Sequence, residues 1–194
     1  MFDTDRAPDR PDEGWDPVAH RWAVLRPTDG AGPEAAALRP WAASDLDAFV
    51  GLLDDPEVWR FLPEPYPAPL DHVLAAELIA LSNASDHHVV RAVIVDGQPA
   101  GQVRLSVAPG DTARTEAELG YWLGRAYWGR GIAAGVVARF SAQGFAMWPA
   151  LERQFARVHA DNHASRRLLT ALGFVSTGDD HAAPGFERLV LQRP

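Results

Sequence analysis

Leu119, Tyr121 and Leu123 alternate with Glu118, Gly120 and Trp122, the two-residue period of a half-buried strand. After Gly131 the period lengthens, and Ile132, Val136, Val137 and Phe140 fall on one helical face. Between the two lies a tight turn rich in glycine, at Gly124, Gly129 and Gly131. A strand that runs through glycines into a helix presents free backbone N–H groups and the positive end of the helix dipole. Such a junction is an anion site, most often for phosphate.

The same reading organises the rest of the chain. Residues 1–17 are mostly Asp, Arg and Pro, with little to bury, and are expected to be a disordered tail ahead of one domain over 18–194. The phrases Val24-Leu25-Arg26-Pro27 and Ala37-Leu38-Arg39-Pro40, separated by Thr28-Asp29-Gly30-Ala31-Gly32-Pro33, predict two strands. Ser44 is the expected cap of a first helix, with Asp47 three positions on and Phe49, Leu52 and Leu53 facing inward. Asp54-Asp55-Pro56 ends that helix, and a loop dense in aromatics and proline follows at 59–67. Stiff loops of this kind wall pockets or pack onto the core.

A second helix is expected at 69–81, then a hairpin of strands 89–95 and 99–107 turning at Asp96-Gly97. Beyond the central strand come a helix at 131–146, a strand at 155–160 and a helix at 163–172 stopped by Gly173. Strands at 174–177 and 186–192 close the sheet. The pattern is an α/β chain of the α+β type: a mixed, mostly antiparallel sheet with helices on both faces and one β-α-β unit.

Composition narrows the chemistry. There is no cysteine, which excludes disulfides and thiolate nucleophiles and fits a cytoplasmic protein. All 18 basic residues are arginine, so no Schiff base and no P-loop lysine is available. The formal charge of −8 argues against nucleic-acid binding. No run approaches the roughly 18 apolar residues of a membrane span. The seven histidines include His87-His88 and the pair His159 and His163, but form no metal-ligand pattern, so no metal is expected.

Gly129-Arg130-Gly131-Ile132-Ala133-Ala134 fits a dinucleotide fingerprint, G-x-G-x-x-A. Hairpins precede it, only one β-α-β unit exists, and Glu152 precedes the next strand where an acid should end it. The nicotinamide reading therefore lacks its context.

Three blocks in order carry a different resemblance: Glu118-Leu119-Gly120-Tyr121-Trp122-Leu123, the turn Tyr127-Trp128-Gly129-Arg130-Gly131-Ile132-Ala133, and Asn162-His163-Ala164-Ser165-Arg166-Arg167-Leu168 followed by Leu172-Gly173-Phe174. Together with Leu38-Arg39-Pro40-Trp41 and Ser44-Asp45, they resemble a GNAT N-acetyltransferase of the RimJ/RimL-type branch over about residues 35–193. The resemblance implies acetyl-CoA as cosubstrate and a primary amine as acceptor, either a protein N-terminus or a small molecule. It implies that Trp128, Gly129, Arg130, Gly131, Ile132 and Ala133 wrap the pyrophosphate, Trp128 standing where the family has Gln or Arg. Tyr121, Trp122 and Leu123 would line the pantetheine arm, the Leu123 N–H would polarise the acetyl carbonyl, and Asn162 would bond the arm or simply cap its helix.

For chemistry, a carboxylate must take a proton from the amine. Glu118 is the first candidate and Glu116 the second; either is alternatively a salt-bridged strand glutamate. The family's helix tyrosine falls on Leu169, which leaves Ser165, one turn earlier, to serve the thiolate. A non-catalytic CoA-sensing or partner-binding module on the same fold is the alternative. Monomer and homodimer both remain open.

Overall fold

The structure, a computed structural model, describes residues 36–194. The expected tail and the strand at 24–27 lie outside the described residues. Seven strands form one sheet: β1 (Ala37–Arg39), β2 (His88–Val95), β3 (Gln98–Ser106), β4 (Glu116–Leu123), β5 (Arg153–His159), β6 (Val175–Asp179) and β7 (Phe186–Gln192). Their spatial order is β1-β2-β3-β4-β5-β7-β6. Only β4 and β5 run parallel, joined by the crossover helix; every other pair is antiparallel. The helices are α1 (Leu46–Leu53), α2 (Pro56–Trp59), α3 (His72–Ala84), α4 (Ile132–Met147) and α5 (His163–Ala171).

The strand period divides the helices between two faces. Val93, Val103, Leu105, Leu119 and Leu123 pack against Val136, Val137 and Phe140 of α4 and Leu169 of α5. Their alternates Val90, Ala92, Ile94 and Trp122 pack against Trp41, Phe49 and Leu53 beside α1, and Ile79 of α3. The mostly antiparallel sheet with helices on both faces is therefore present as expected. The β2–β3 turn is a tight one, with Asp96 and Gly97 both at positive φ, 51° and 79°. Among the described residues no helix is long and apolar enough to cross a membrane.

Several boundaries differ from expectation. The helix expected at 69–81 runs His72–Ala84, because the Asp71 side chain caps it by accepting the Leu74 N–H at 2.8 Å, a short helix not expected forms at Pro56–Trp59, and β6 extends to Asp179. Two further shifts have their reason in side-chain contacts. Ser44 does not cap α1. The Arg39 guanidinium grips Asp45 through two bonds of 2.5 and 2.8 Å, and Asp45 also accepts the Ala42 N–H at 2.8 Å. This draws Ala43–Asp45 into a 3-10 turn, and α1 starts at Leu46. Strand β5 begins two residues before the apolar run, because Gln154 is buried and donates its amide to the Ser141 carbonyl at 2.8 Å. A polar residue buried in the core, its amide N–H bonded and its Oε1 left without a partner among the described residues, hides a strand start from a hydrophobicity pattern.

Three carboxylates make the fold acid-sensitive. The Arg39 hydrogen bond holds Asp45 below the usual carboxylate range. Burial pushes Glu116 upward, but Arg188 and Arg153 outweigh it and leave the group lowered. At Asp180 burial is likewise outweighed, by the Ala182 N–H and Arg157. A lowered folded-state pKa contributes stability that is complete above the unfolded value and is lost as pH falls through the folded one. Thermal melts should therefore show Tm falling below about pH 4. Asp45→Asn should cost about 1–2 kcal/mol near neutral pH and flatten the acid limb. A Tm that is constant down that limb would refute the assignment.

Candidate active site

Strand β4 is paired to β3 from Glu118, opposite Ser106, as far as Leu123, opposite Gly101. Its pairing with β5 covers only Glu116, Ala117 and Glu118. Beyond Glu118 the two parallel strands part, and one edge of β4 has no strand partner. Gly124 donates its N–H to the Ala100 carbonyl on β3 at 2.9 Å. The alternation of an antiparallel ladder then aims the N–H groups of Leu123 and Tyr121 the other way, into the gap.

A cavity of about 920 Å³ fills this gap and continues under the loop after α2. At one end it is lined by Gly129, Gly131, Ile132, Ala133 and Ala134, the turn and first residues of α4. Gly129 and Gly131 have φ of 72° and 77°, and a Cβ built on either meets nothing within 4 Å. Their glycine requirement is conformational, and the space above them is open. Trp128 donates its indole N–H to the Leu123 carbonyl at 2.7 Å, tying the turn to the end of β4. Arg130 lies over the Tyr127 ring at 5.4 Å and is not among the residues lining the cavity.

The sequence matches the Acetyltransferase (GNAT) domain over residues 36–175. The chain belongs to the GNAT acetyltransferase family. No curated protein matches it. Solved structures of the same fold include a GNAT acetyltransferase from Bacillus anthracis, at TM-score 0.68 and 16% identity, covering 88% of this chain and 96% of that one. Spermidine N-acetyltransferase from Vibrio cholerae, in complex with CoA and spermine, aligns at TM-score 0.67 and 17% identity over 81% of this chain and 95% of its own. RimL, a ribosomal L7/L12 alpha-N-protein acetyltransferase, aligns at TM-score 0.68 and 17% identity over 81% and 90%. At these identities the likeness is one of fold.

The features of this GNAT chain fit a CoA thioester. A helix N-terminus and two left-handed glycines meet one end of the cavity, and a free strand edge runs along its middle. The middle and far end hold the ionisable groups. Glu118 lines the cavity and accepts from Arg157 Nη1 at 3.0 Å. Arg157 is fixed in turn by Asp180 at 2.6 Å. Glu116 is not among the lining residues; Arg153 and Arg188 hold it, each at 2.6 Å.

On the α5 side, the Tyr121 and Ser165 hydroxyls are 2.7 Å apart. Burial pushes the Tyr121 phenol above its usual value, against the opposing effect of Ser165. Asn162 caps α5, its side chain accepting the Ser165 N–H at 3.1 Å, and also lines the cavity. Leu169, the position on which the resemblance put a helix tyrosine, is wholly buried. The phenol in this region therefore comes from β4, not from the helix. The Trp122 ring lies on the opposite face, stacked 6.3 Å from Trp41.

The loop walling the far end is stapled from α1. Asp54 accepts from the Tyr66 hydroxyl at 2.5 Å and the Leu70 N–H at 2.9 Å, while Trp59 donates to the Leu53 carbonyl at 2.6 Å. Sequence reading singled out the loop, the turn and Glu118, which all line the cavity. It missed Arg157 and the Tyr121–Ser165 contact. The two-residue spacing of Phe155, Arg157 and His159 marks a strand face but says nothing of the partner across the gap. Among the described residues no group of three or more His, Asp or Glu is placed to hold a metal.

Proposed function

We propose that this chain is a RimJ/RimL-type N-acetyltransferase that moves an acetyl group from acetyl-CoA to a primary amine by direct attack in a ternary complex. The observation that carries the reading is the continuity of one cavity from the glycine turn, past the open edge of β4, to Glu118 and the aromatic loop. A donor and an acceptor bound at its two ends would meet beside Glu118.

Acetyl-CoA, when bound, supplies an activated thioester. In the overall reaction the amine nitrogen gains a bond to the acetyl carbon, the C–S bond breaks, the amine gives up a proton and the thiolate takes one. The turn Trp128–Ala133 grips pyrophosphate through its N–H groups. Leu123 lies about 17 Å along β4 from Glu118, so its N–H holds the pantetheine arm, and the gap-facing Tyr121 N–H, nearer Glu118, polarises the acetyl carbonyl. Trp128 replaces a polar side chain of the family without loss, because its indole braces the strand and backbone amides do the gripping. Glu118 takes the amine proton, directly or through water, and Arg157 keeps its carboxylate in place. Ser165, held by Tyr121, supports the departing thiolate, whose pKa near 8.5 demands little help.

The test has two parts. Acetyl-CoA at about 100 times its Kd should stabilise the fold by about 2.7 kcal/mol, seen as a rise in Tm. Thiol release should depend on an added primary amine. No stabilisation would overturn the cosubstrate assignment. Stabilisation with no release across amines and N-terminal peptides would mark a CoA-binding module without turnover.

A further inference from the structure

The floor beneath the loop is built from three rows of residues across β2, β3 and β4: His88–Ser106–Glu118, Val90–Arg104–Gly120 and Ala92–Gln102–Trp122. Each row presents its side chains on the α1–α3 face. Glycine at 120 leaves the centre of that floor open, and Arg104 fills it. A Cβ at Gly120 would lie 3.7 Å from both Nε and Nη2 of Arg104. The guanidinium therefore rests over the middle of β4, between Glu118 and Trp122, and lines the cavity.

Its partners are poor. Among the described residues its ion pair is with Glu64, at 3.8 Å, beyond hydrogen-bond reach. Glu64 sits on the loop and is half exposed, so it can yield. A guanidinium carries five donors in a fork that matches a carboxylate, and it keeps its charge at any ordinary pH. Arg157, the other cation in the cavity, is already satisfied by Glu118 and Asp180. His88, in the row of Glu118, has its pKa lowered by burial and sits neutral at neutral pH. Arg104 is thus the cation left with capacity for a ligand.

Residues two apart on one strand face are about 7 Å apart. Glu118 and Gly120 bear that relation, so a small molecule with an amine and a carboxylate reaches both charges. Around them the wall is apolar and bulky, with Val58, Trp59, Phe61, Leu62, Leu74 and Leu78. We infer that the acceptor is a free amino acid with a large apolar side chain, its amine at Glu118 and its carboxylate at Arg104, an inference that rests on the acetyl-transfer reading above.

Matched acceptors test it: phenylalanine against phenethylamine, and leucine against isopentylamine, with a peptide bearing a free N-terminal phenylalanine alongside. With acetyl-CoA, kcat/KM for each amino acid should exceed that for its decarboxylated partner by about tenfold or more. Arg104→Gln should raise KM for the amino acids far more than it lowers kcat and bring that ratio close to one. Arg104→Lys should recover part of it. Retained stabilisation by CoA shows that the variants fold.

Equal or better use of the decarboxylated amines or of the peptide overturns the amino-acid assignment and leaves acetyl transfer standing. A preference that survives Arg104→Gln overturns the role of Arg104. If no acceptor releases thiol, acetyl transfer fails and calorimetry decides the rest. Phenylalanine binding to the CoA-loaded protein, lost in Arg104→Gln, retains the site, and no binding overturns it.

Discussion

Glu118→Gln is expected to lower kcat by about 100-fold or more while leaving CoA binding nearly unchanged. The substitution keeps the shape of the side chain and removes the proton acceptor. Glu118 lies where β4 leaves β5, on the face that carries the aromatic loop, and its carboxylate is aligned by Arg157 at 3.0 Å. Glutamine can still accept from Arg157, and Asp180 continues to fix that arginine at 2.6 Å, so the fold should be little affected. The informative measurement is kcat against pH for both proteins. In the variant the basic step should pass to water or to the free amine, and the rate should climb with pH where the wild-type rate levels off. A variant with the wild-type rate and profile would remove Glu118 as the base.

Gly101→Ala should have the largest effect on stability, about 3 kcal/mol or more. A Cβ at this position would come within 2.2 Å of the Trp122 carbonyl oxygen and 2.7 Å of the Leu123 Cα. Both are backbone atoms of the neighbouring strand, so no rotamer change relieves the clash. β3 and β4 would have to separate at the point where β4 presents its N–H groups to the gap. Stability and CoA affinity should therefore fall together. Urea unfolding beside CoA titration checks this. Wild-type stability would show that the two strands do not approach as closely as the geometry has it. Gly120, also on β4, offers a contrast: its nearest neighbour is the flexible end of Arg104 at 3.7 Å, so alanine there should be tolerated by the fold.

The parts of the site that were legible in the sequence are those set by local rules. Alternation identified β4, the change of period identified α4, and Gly129 and Gly131 stand where the backbone takes φ of 72° and 77°. The Asp96-Gly97 turn and the stop at Gly173 were readable for the same reason. Errors fell where a side-chain partner overrides the local preference. The start of α1 moved because Arg39 captures Asp45, and β5 reached back past Gln154 to Arg153 because a helix carbonyl accepts the Gln154 amide N–H.

The surroundings of Glu118 were less legible still. Glu118 meets Arg157 across 39 residues, and Tyr121 meets Ser165 across 44. Leu169 marked the missing helix tyrosine, yet nothing in the spacing of Tyr121 showed that its phenol would reach the same region from the sheet. Arg104 is an ordinary polar position in an alternating strand until Gly120 is placed beside it.

By itself the sequence determined the two periods, the glycine turn and the order of elements. Each depends on φ, ψ and side-chain direction within a few residues. Only the tertiary structure decided where β4 parts from β5, which charges face the gap and which are already paired. Those outcomes depend on strand register and on contacts between residues far apart in the chain.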